Sequence, residues 1–164
     1  MTTKESTLNS SAYVLGLTKQ TLVESLYKIF YNRITYSGIV IDTHSPARTK
    51  WIYPTFPLDK IDNSNAYPII VLNSPDLEWV DYTYTKRKVT FIINVEIYST
   101  NMAEIDPLTS QVINCIENSW TTLRNLEIRF VRLTGTSYDH AMRDKISVHT
   151  KTITFAGEVK IDKS

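Results

Sequence analysis

The stretch that decides the fold is residues 86–99, KRKVTFIINVEIYS. From Lys88 onward, apolar and mostly polar side chains alternate along it. The apolar set is Val89, Phe91, Ile93, Val95 and Ile97. Because successive side chains of a strand point to opposite faces of a sheet, this period of two predicts a strand with one core face and one mostly polar face.

Weaker strand signals lie on both sides of this stretch. Ile69–Leu72 is a continuous apolar run after Pro68, which restricts the preceding residue to an extended conformation, so it predicts a buried strand. A polar connection is expected between the last two strands, at Thr136–Asp144. The other predicted strands are Ile39–Ile41, a strand from Leu126 to about Gly135, and Ile146–Ile161, which is one bent strand or two, with a break near Ala156-Gly157.

Two segments have the apolar period of an amphipathic helix. The first runs from Thr18 to Arg33 and ends before Ser37-Gly38. The second is predicted to start at Asp106-Pro107, because aspartate caps a helix and proline suits its first position, and to run to about Thr122. The order helix, strands, helix, strands predicts an α+β fold, in which two amphipathic helices pack on one face of a mainly antiparallel β-sheet.

The 164 residues fit a single domain. Residues 1–12 are polar without an apolar period and predict a flexible N-terminal arm, which leaves 13–164 as the domain. Residues 42–65 show little periodicity, and long loops of this kind are usually functional or ordered by a partner. The loop contains the aromatic residues Trp51, Tyr53 and Phe56. They either cover their own domain or contact a partner.

Composition argues against several classes of protein. The net charge of +1 gives no overall electrostatic attraction to nucleic acid or to a membrane. The longest apolar run, Ile69–Leu72, is far shorter than the roughly 20 residues of a membrane helix. Met1–Asn9 lacks the apolar core of a signal peptide, so the cytoplasm is the expected site of synthesis and assembly. The single cysteine, Cys115, excludes an intramolecular disulfide and is interpreted as a core residue.

No catalytic, metal or cofactor site is predicted. The histidines His44, His140 and His149 are separated in the sequence and follow no metal-binding spacing. Gly135 alone cannot form a phosphate-binding loop. The adjacent Tyr138-Asp139-His140 is interpreted as a polar turn, with a hydrolase built around Asp139 and His140 as the chemical alternative. The carboxylate pairs lie in predicted loops: Asp59 and Asp62, Asp76 and Glu78, and Glu104 and Asp106.

The one dense basic run consists of Lys86, Arg87 and Lys88. Three aromatic residues precede it: Trp79, Tyr82 and Tyr84. Aromatic rings beside cations can stack on bases, which would make this region a small nucleic-acid-binding module. The same aromatic residues are also common anchors of protein interfaces, and a basic run at a strand end is commonly only solvated.

The segment from Tyr67 to Leu123 resembles the tail terminator, or tail completion, proteins of long-tailed bacteriophages, and more loosely their head-to-tail connector relatives. The resemblance rests on YPIIVL at 67–72, RKVTFIINVEIYS at 87–99 and IDPL at 105–108. The helix before this segment and the strands after it follow the same order of elements. The 42–65 loop is a departure from the family pattern.

This resemblance implies a structural virion protein without a reaction or cofactor. It implies a homo-oligomeric ring, usually a hexamer, at the head-proximal end of the tail. Its partners would be further copies of itself, the tail tube protein and the neck or connector protein, with DNA passing through the channel without sequence-specific binding. The predicted contact residues are Trp51, Tyr53, Phe56, Trp79, Tyr82 and Tyr84 for the interfaces, and Lys86, Arg87 and Lys88 for DNA. A neck protein of the same virion is the alternative within the resemblance.

Overall fold

The computed structural model describes residues 22–60, 63–81, 83–143 and 145–162, so the predicted arm at 1–12 lies outside the described residues. In chain order the elements are α1 (Leu22–Tyr36), β1 (Ile52–Tyr53), 3₁₀ turns at Leu58–Lys60 and Ser64–Ala66, β2 (Ile69–Leu72), β3 (Asp76–Asp81), β4 (Lys86–Ser99), α2 (Met102–Glu117), α3 (Trp120–Asn125), β5 (Ile128–Arg143) and β6 (Ile146–Asp162). This is an α+β fold, as the sequence predicts.

The six strands form one sheet in the order β1-β2-β4-β6-β5, and β3 also pairs with β4. Strand β4 is central, because β6 pairs with its whole length while β3 and β2 share its other side. The β1–β2 pair is parallel and the other pairs are antiparallel. The predicted mainly antiparallel sheet is therefore confirmed.

The main core lies between the helices and one face of this sheet. It contains the alternating apolar residues of β4, together with Ile153, Phe155 and Val159 of β6 and the apolar faces of α1 and α2. The ring of Phe30 in α1 meets the ring of Phe91 in β4 edge to face, at 5.8 Å between centroids. Removing such side chains from water supplies most of the favourable free energy of folding. The prediction that two helices pack on one face is confirmed.

A second apolar cluster lies on the opposite face of the sheet. Ile69 and Val71 alternate with the main-core residues of β2 and join Tyr98 and Val148 in this cluster. The 42–65 segment covers it, and the Phe56 ring packs edge to face on Tyr98 at 4.7 Å between centroids. The segment therefore folds back over its own domain, which is one of the two alternatives that the sequence leaves open.

The bounds of the second helix differ from the prediction at both ends. Helix α2 begins at Met102, because the Asn101 side chain accepts a hydrogen bond from the Ala103 backbone N–H and caps it there. Pro107 consequently lies inside the helix. The helix ends at Glu117, before Ser119, whose hydroxyl donates to the Cys115 carbonyl at 2.6 Å and so competes with the helical pattern of backbone bonds.

The strand predictions at Ile39–Ile41 and near Ala156-Gly157 are also wrong. Ile39–Ile41 is not a strand; it lies beside α2, where the Ile41 N–H donates to the side chain of Gln111 at 3.1 Å. Strand β6 runs through Gly157 without a break, because β4 pairs with it continuously from one end to the other. Glycine weakens a strand locally, but hydrogen bonding to a partner strand on each side outweighs this effect.

Candidate assembly surface

Strand β5 forms one edge of the sheet and is open to solvent. Among the described strands it pairs only with β6. All side chains from Arg132 to His140 are exposed, so this part of the strand buries neither face. The predicted polar connection at Thr136–Asp144 is thus wrong, since residues up to Arg143 continue β5. A long open edge of unpaired N–H and C=O groups is a template for pairing with another chain.

The end of β5 brings two histidines together that are separated in the sequence. His140 lies directly opposite His149 on β6, and their rings stack at 4.7 Å between centroids. The Tyr138 hydroxyl is 2.7 Å from Nδ1 of His149, and Nε2 of His140 contacts the Ser147 hydroxyl. The predicted polar turn at Tyr138-Asp139-His140 is wrong, because these residues belong to the ladder between β5 and β6.

The strand geometry separates the two groups of the hydrolase alternative. Asp139 pairs with Thr150 and the next residue, His140, pairs with His149. Consecutive strand side chains point to opposite faces, so the Asp139 carboxylate is directed away from the imidazole of His140. A carboxylate on the other face cannot orient that imidazole as a general base.

The start of β5 is irregular and lies beside two large exposed aromatic side chains. Glu127 and Phe130 have positive φ angles of 63° and 55°, which cost non-glycine residues about 1–3 kcal/mol each. The ladder with β6 changes register between Arg129 and Arg132. Phe130 is 69% exposed and Trp120 of α3 is 61% exposed. Both line a groove of about 470 Å³ at this edge, and exposed aromatic pairs of this kind mark contact sites.

The opposite edge of the sheet is formed in part by β3, which the sequence interpretation places in a loop. Asp76–Asp81 pairs with β4 over six residues, so the prediction that Asp76 and Glu78 lie in a loop is wrong. Asp76, Glu78 and Val80 are exposed and point away from the helices, while Leu77 and Trp79 pack against the main core. The period-two signal is weak here, because the apolar face has only these two apolar residues.

The three aromatic residues of the 42–65 loop are placed on its own domain. Trp51 is buried in the main core and Phe56 packs on the second cluster. Tyr53 is half-buried, and the Lys50 ammonium lies 5.2 Å from its ring centroid. In this conformation Trp51, which is 9% exposed, offers a partner little surface, and Tyr53 is the more accessible of the two.

The aromatic and basic residues before β4 have different environments. The Arg87 guanidinium lies over the Trp79 ring at 6.0 Å, and the Lys88 ammonium is 4.0 Å from a carboxylate oxygen of Glu158. Tyr84 is 97% exposed at the turn before β4, and Tyr82 lies outside the described residues. The Arg87 and Lys88 cations therefore already have contacts within the domain, which leaves less of this run for phosphates.

The single cysteine is buried against α1. The Cys115 thiol lies 3.3 Å from the Arg33 carbonyl and 3.3 Å from the Ser37 hydroxyl. Burial raises the pKa of this thiol above its ordinary value of 9.0, although the nearby hydroxyls and the Arg33 charge oppose the shift. Since the thiolate is the reactive species, the geometry favours an inert core residue, as the sequence analysis expects.

We expect an aromatic disulfide reagent to label Cys115 very slowly in the native protein and rapidly in denaturant. Because the folded pKa is raised, the neutral thiol favours the folded state below pH 9, and this contribution falls as the pH rises towards the folded pKa. Absorbance of the released thiolate measures the labelling rate, and Cys115→Ala, which cannot react in either state, sets the background. Equal rates in the two states would contradict the buried placement.

The described residues contain neither a cluster of metal ligands nor a helix that could span a membrane. Within residues 22–60, 63–81, 83–143 and 145–162, no three His, Cys, Asp or Glu side chains come together as metal ligands. Among the described helices, none has both the length and the apolar composition needed to cross a membrane.

Comparison with known proteins identifies a similar fold. No family model matches the chain, and no curated protein matches it in sequence. Among solved structures, the chain is similar to one in a structure titled "Virion of native gene transfer agent (GTA) particle", with a TM-score of 0.50 and 11% sequence identity. The match covers 85% of this chain and 98% of that one. At this identity the likeness is one of fold.

Proposed function

We propose that this chain is a structural virion protein that acts as a tail terminator. It forms a homo-oligomeric ring, a hexamer, which caps the tail tube at its head-proximal end and joins it to the capsid connector. The observation that carries the proposal is the open β5 edge, which from Arg132 to His140 has exposed side chains on both faces. The role within the virion comes from the resemblance of residues 67–123 to the tail terminator family.

Strand β5 lacks the burial that usually stabilises a strand. Its hydrogen bonds to β6 hold one side, but its other side and both faces of its second half meet water. Natural sheets protect such edges unless they are used for pairing. The exposed Trp120 and Phe130 beside the same edge add the large apolar contacts that dominate interface energetics. Together these features favour a protein that works by assembly.

The fold comparison supports the virion class of this proposal. The similar chain belongs to a structure whose title names the virion of a gene transfer agent particle. A tail terminator and a neck protein would both fit that likeness, and the family resemblance favours the terminator. In a ring, Lys86 and Lys88, which share one face of β4, would face the DNA in the channel, whereas Arg87 points to the other face. The remaining partners would be the tail tube and the neck protein.

We expect the purified protein to form rings in native mass spectrometry and in electron micrographs, alone or after mixing with tail tubes. Rings bound to tube ends identify the terminator role. Rings that bind the connector and do not bind tail tubes identify a neck protein. DNA titration at two salt concentrations is the parallel measurement. Tight DNA binding that falls steeply with salt, without any ring or tube binding, would replace the proposal by the nucleic-acid-binding module.

A further inference from the structure

The groove beside the start of β5 has an apolar lining. Three of its side chains are buried, namely Ile116, Leu123 and Ile128. Trp120 and Phe130 line it as well, and both are largely exposed. Covering these two rings removes a large apolar surface from water, so the groove favours an apolar occupant.

The chain itself contains a short apolar segment of this kind just before α1. It is residues 13–17, YVLGL, which lie outside the described residues and have polar residues before and after them. Tyr13, Leu15 and Leu17 alternate along it, so in an extended chain all three project on the same side. Three apolar side chains on one side match a groove lined by apolar side chains.

Helix α1 begins on the other side of the domain from this groove. Tyr27 in α1 lines a second cavity with Pro54, which follows β1, and Ser74, which precedes β3. Strands β1 and β5 end the strand order, four strand spacings or about 19 Å apart. Helix α2 packs over β4 and β6 between them. The chain from Leu17 to Leu22 covers at most about 18 Å, so the 13–17 segment lies too far from its own groove.

We infer that the 13–17 segment of one copy binds in the groove of the next copy, with its alternate side chains against Trp120 and Phe130. The inference rests on the proposed function in that the partner is a second copy of this chain in the ring. The segment leaves one side of the domain and the groove lies on the other. Each copy therefore donates to one neighbour and receives from the other, and such contacts between two different patches can close into a ring.

The open edge of β5 suits an extended segment of this kind. Backbone hydrogen bonds to an exposed edge give affinity, and pockets for alternate side chains give specificity. Residues 18–21 connect the segment to α1, so the contact does not require the sheets of two copies to meet edge to edge. The neighbour's β1 and its 42–65 segment consequently need not enter the space beside β5.

A charge within the segment tests its role. We expect Leu15→Asp to weaken self-association by roughly tenfold or more in native mass spectrometry and light scattering, since burial of one leucine is worth at least that factor. Leu8→Asp, the same change in the polar stretch before the segment, is the matched control and should assemble as the unmodified chain does. The thermal unfolding of the monomer is expected to change little in both variants.

The groove is tested from its own side with two substitutions. Trp120→Ala and Phe130→Asn each remove an exposed ring, and asparagine tolerates the positive φ angle of 55° at position 130. We expect each to weaken self-association by a similar factor. Tyr84→Ala removes an equally exposed ring at the turn before β4 and should have no effect on this contact.

Disulfide formation between two different chains shows directly which groove the segment occupies. One chain carries Leu15→Cys and the other Arg124→Cys, an exposed residue that lines the groove, and both carry Cys115→Ala. After mixing and oxidation, a non-reducing gel should show a product that contains one chain of each kind. Leu8→Cys in place of Leu15→Cys is the control and should link much less.

The outcomes separate the inference from the proposed function. If the unmodified chain forms rings and Leu15→Asp forms them as well as Leu8→Asp does, the segment contact is wrong while the ring stands. If a chain that carries both cysteines links only within itself, the segment occupies its own groove and the contact between copies is wrong. An unmodified chain that stays monomeric at all concentrations, with and without tail tubes, overturns both the ring and the contact.

Discussion

Replacement of Arg48 by methionine is expected to lower the free energy of unfolding by about 3 kcal/mol, because it removes one partner of a largely buried ion pair. The Asp42 side chain is 7% exposed and that of Arg48 is 18% exposed. The guanidinium donates to both oxygens of Asp42, at 2.8 and 3.0 Å, and to the carbonyls of Ala66 and Pro68. The substitution leaves a buried carboxylate and two carbonyls without these donors.

This cluster determines how the 42–65 segment covers the sheet. Arg48 joins the start of the segment to the residues just before β2 and also lies 5.6 Å from the Trp51 ring centroid. Without it, we expect the packing of Trp51 and Phe56 to loosen. Denaturant unfolding measures the stability change, and quenching of tryptophan fluorescence reports the exposure of Trp51 only by comparison with Trp51→Phe, since the chain has three tryptophans.

Neighbouring Lys50 offers a matched control. Its cation is exposed and contacts a ring without a buried carboxylate. Lys50→Met should therefore change the free energy of unfolding by less than about 1 kcal/mol. If Arg48→Met lowers the free energy of unfolding no more than Lys50→Met does, the ion pair does not stabilise the packing of the segment. Arg48→Lys, which keeps the charge but not the planar pair of donors, is expected to fall between the two.

The same pair predicts a pH dependence. Burial opposes ionisation of Asp42, but its hydrogen bonds from Arg48 and from the His44 backbone, together with the Arg48 charge, hold its pKa below the ordinary 3.8. A depressed folded pKa means that the ionised carboxylate stabilises the fold above pH 3.8 and that this contribution is lost as the pH falls through the folded pKa. In Arg48→Met this loss of stability at low pH should become smaller, because only the backbone N–H donors of His44 and of residue 48 remain on the Asp42 carboxylate.

Substitution of Gly157 by alanine is expected to destabilise the protein by about 2 kcal/mol, because it overpacks the main core. A Cβ atom at this position would lie 2.6 Å from Cζ of Phe91 and 3.0 Å from Cγ2 of Val131. Phe91 lies directly opposite on β4 and is held by the Phe30 ring on its other side, so its ring cannot move without disturbing α1. The glycine is therefore needed for close approach.

Gly135 provides the comparison for this prediction. It also lies in a strand of the same sheet, but a Cβ atom there meets nothing within 4 Å, so Gly135→Ala should be close to neutral or slightly stabilising. Thermal and denaturant unfolding of both variants give the difference. The double variant Phe91→Leu with Gly157→Ala should lose less free energy of unfolding than the sum of the losses in the two single variants, because the smaller side chain relieves the clash. Strict additivity would argue against the contact.

The elements that the sequence determined are those with a strong local signal. The alternation in 86–99 predicts β4 and its two faces, and the continuous apolar run Ile69–Leu72 predicts β2. The apolar period before Ser37 predicts the end of α1. In each case the side chains that define the pattern are the ones that become buried. Local periodicity is enough when it coincides with burial, because burial is the main favourable term in folding.

The second helix shows where competing local signals mislead. Asp106-Pro107 is a sound start signal, but the Asn101 side chain caps the helix five residues earlier. Its end depends on α1, because the Arg33 guanidinium donates to the Ser119 hydroxyl at 2.9 Å, at the point where α2 gives way to α3. A contact between residues 86 positions apart leaves no trace in the local pattern.

Only the tertiary structure decided the open edges, and with them the candidate assembly surface. The polar residues of 136–143 form a strand because β6 supplies hydrogen-bond partners, so pairing overrides a composition that predicts a loop. The acidic residues of β3 lie in a strand because β4 is beside them. Whether a strand is central or at an edge, and which charges share a row across the sheet, depends on strand order. Strand order arises from contacts between distant residues, and a single sequence read for its local periods does not contain it.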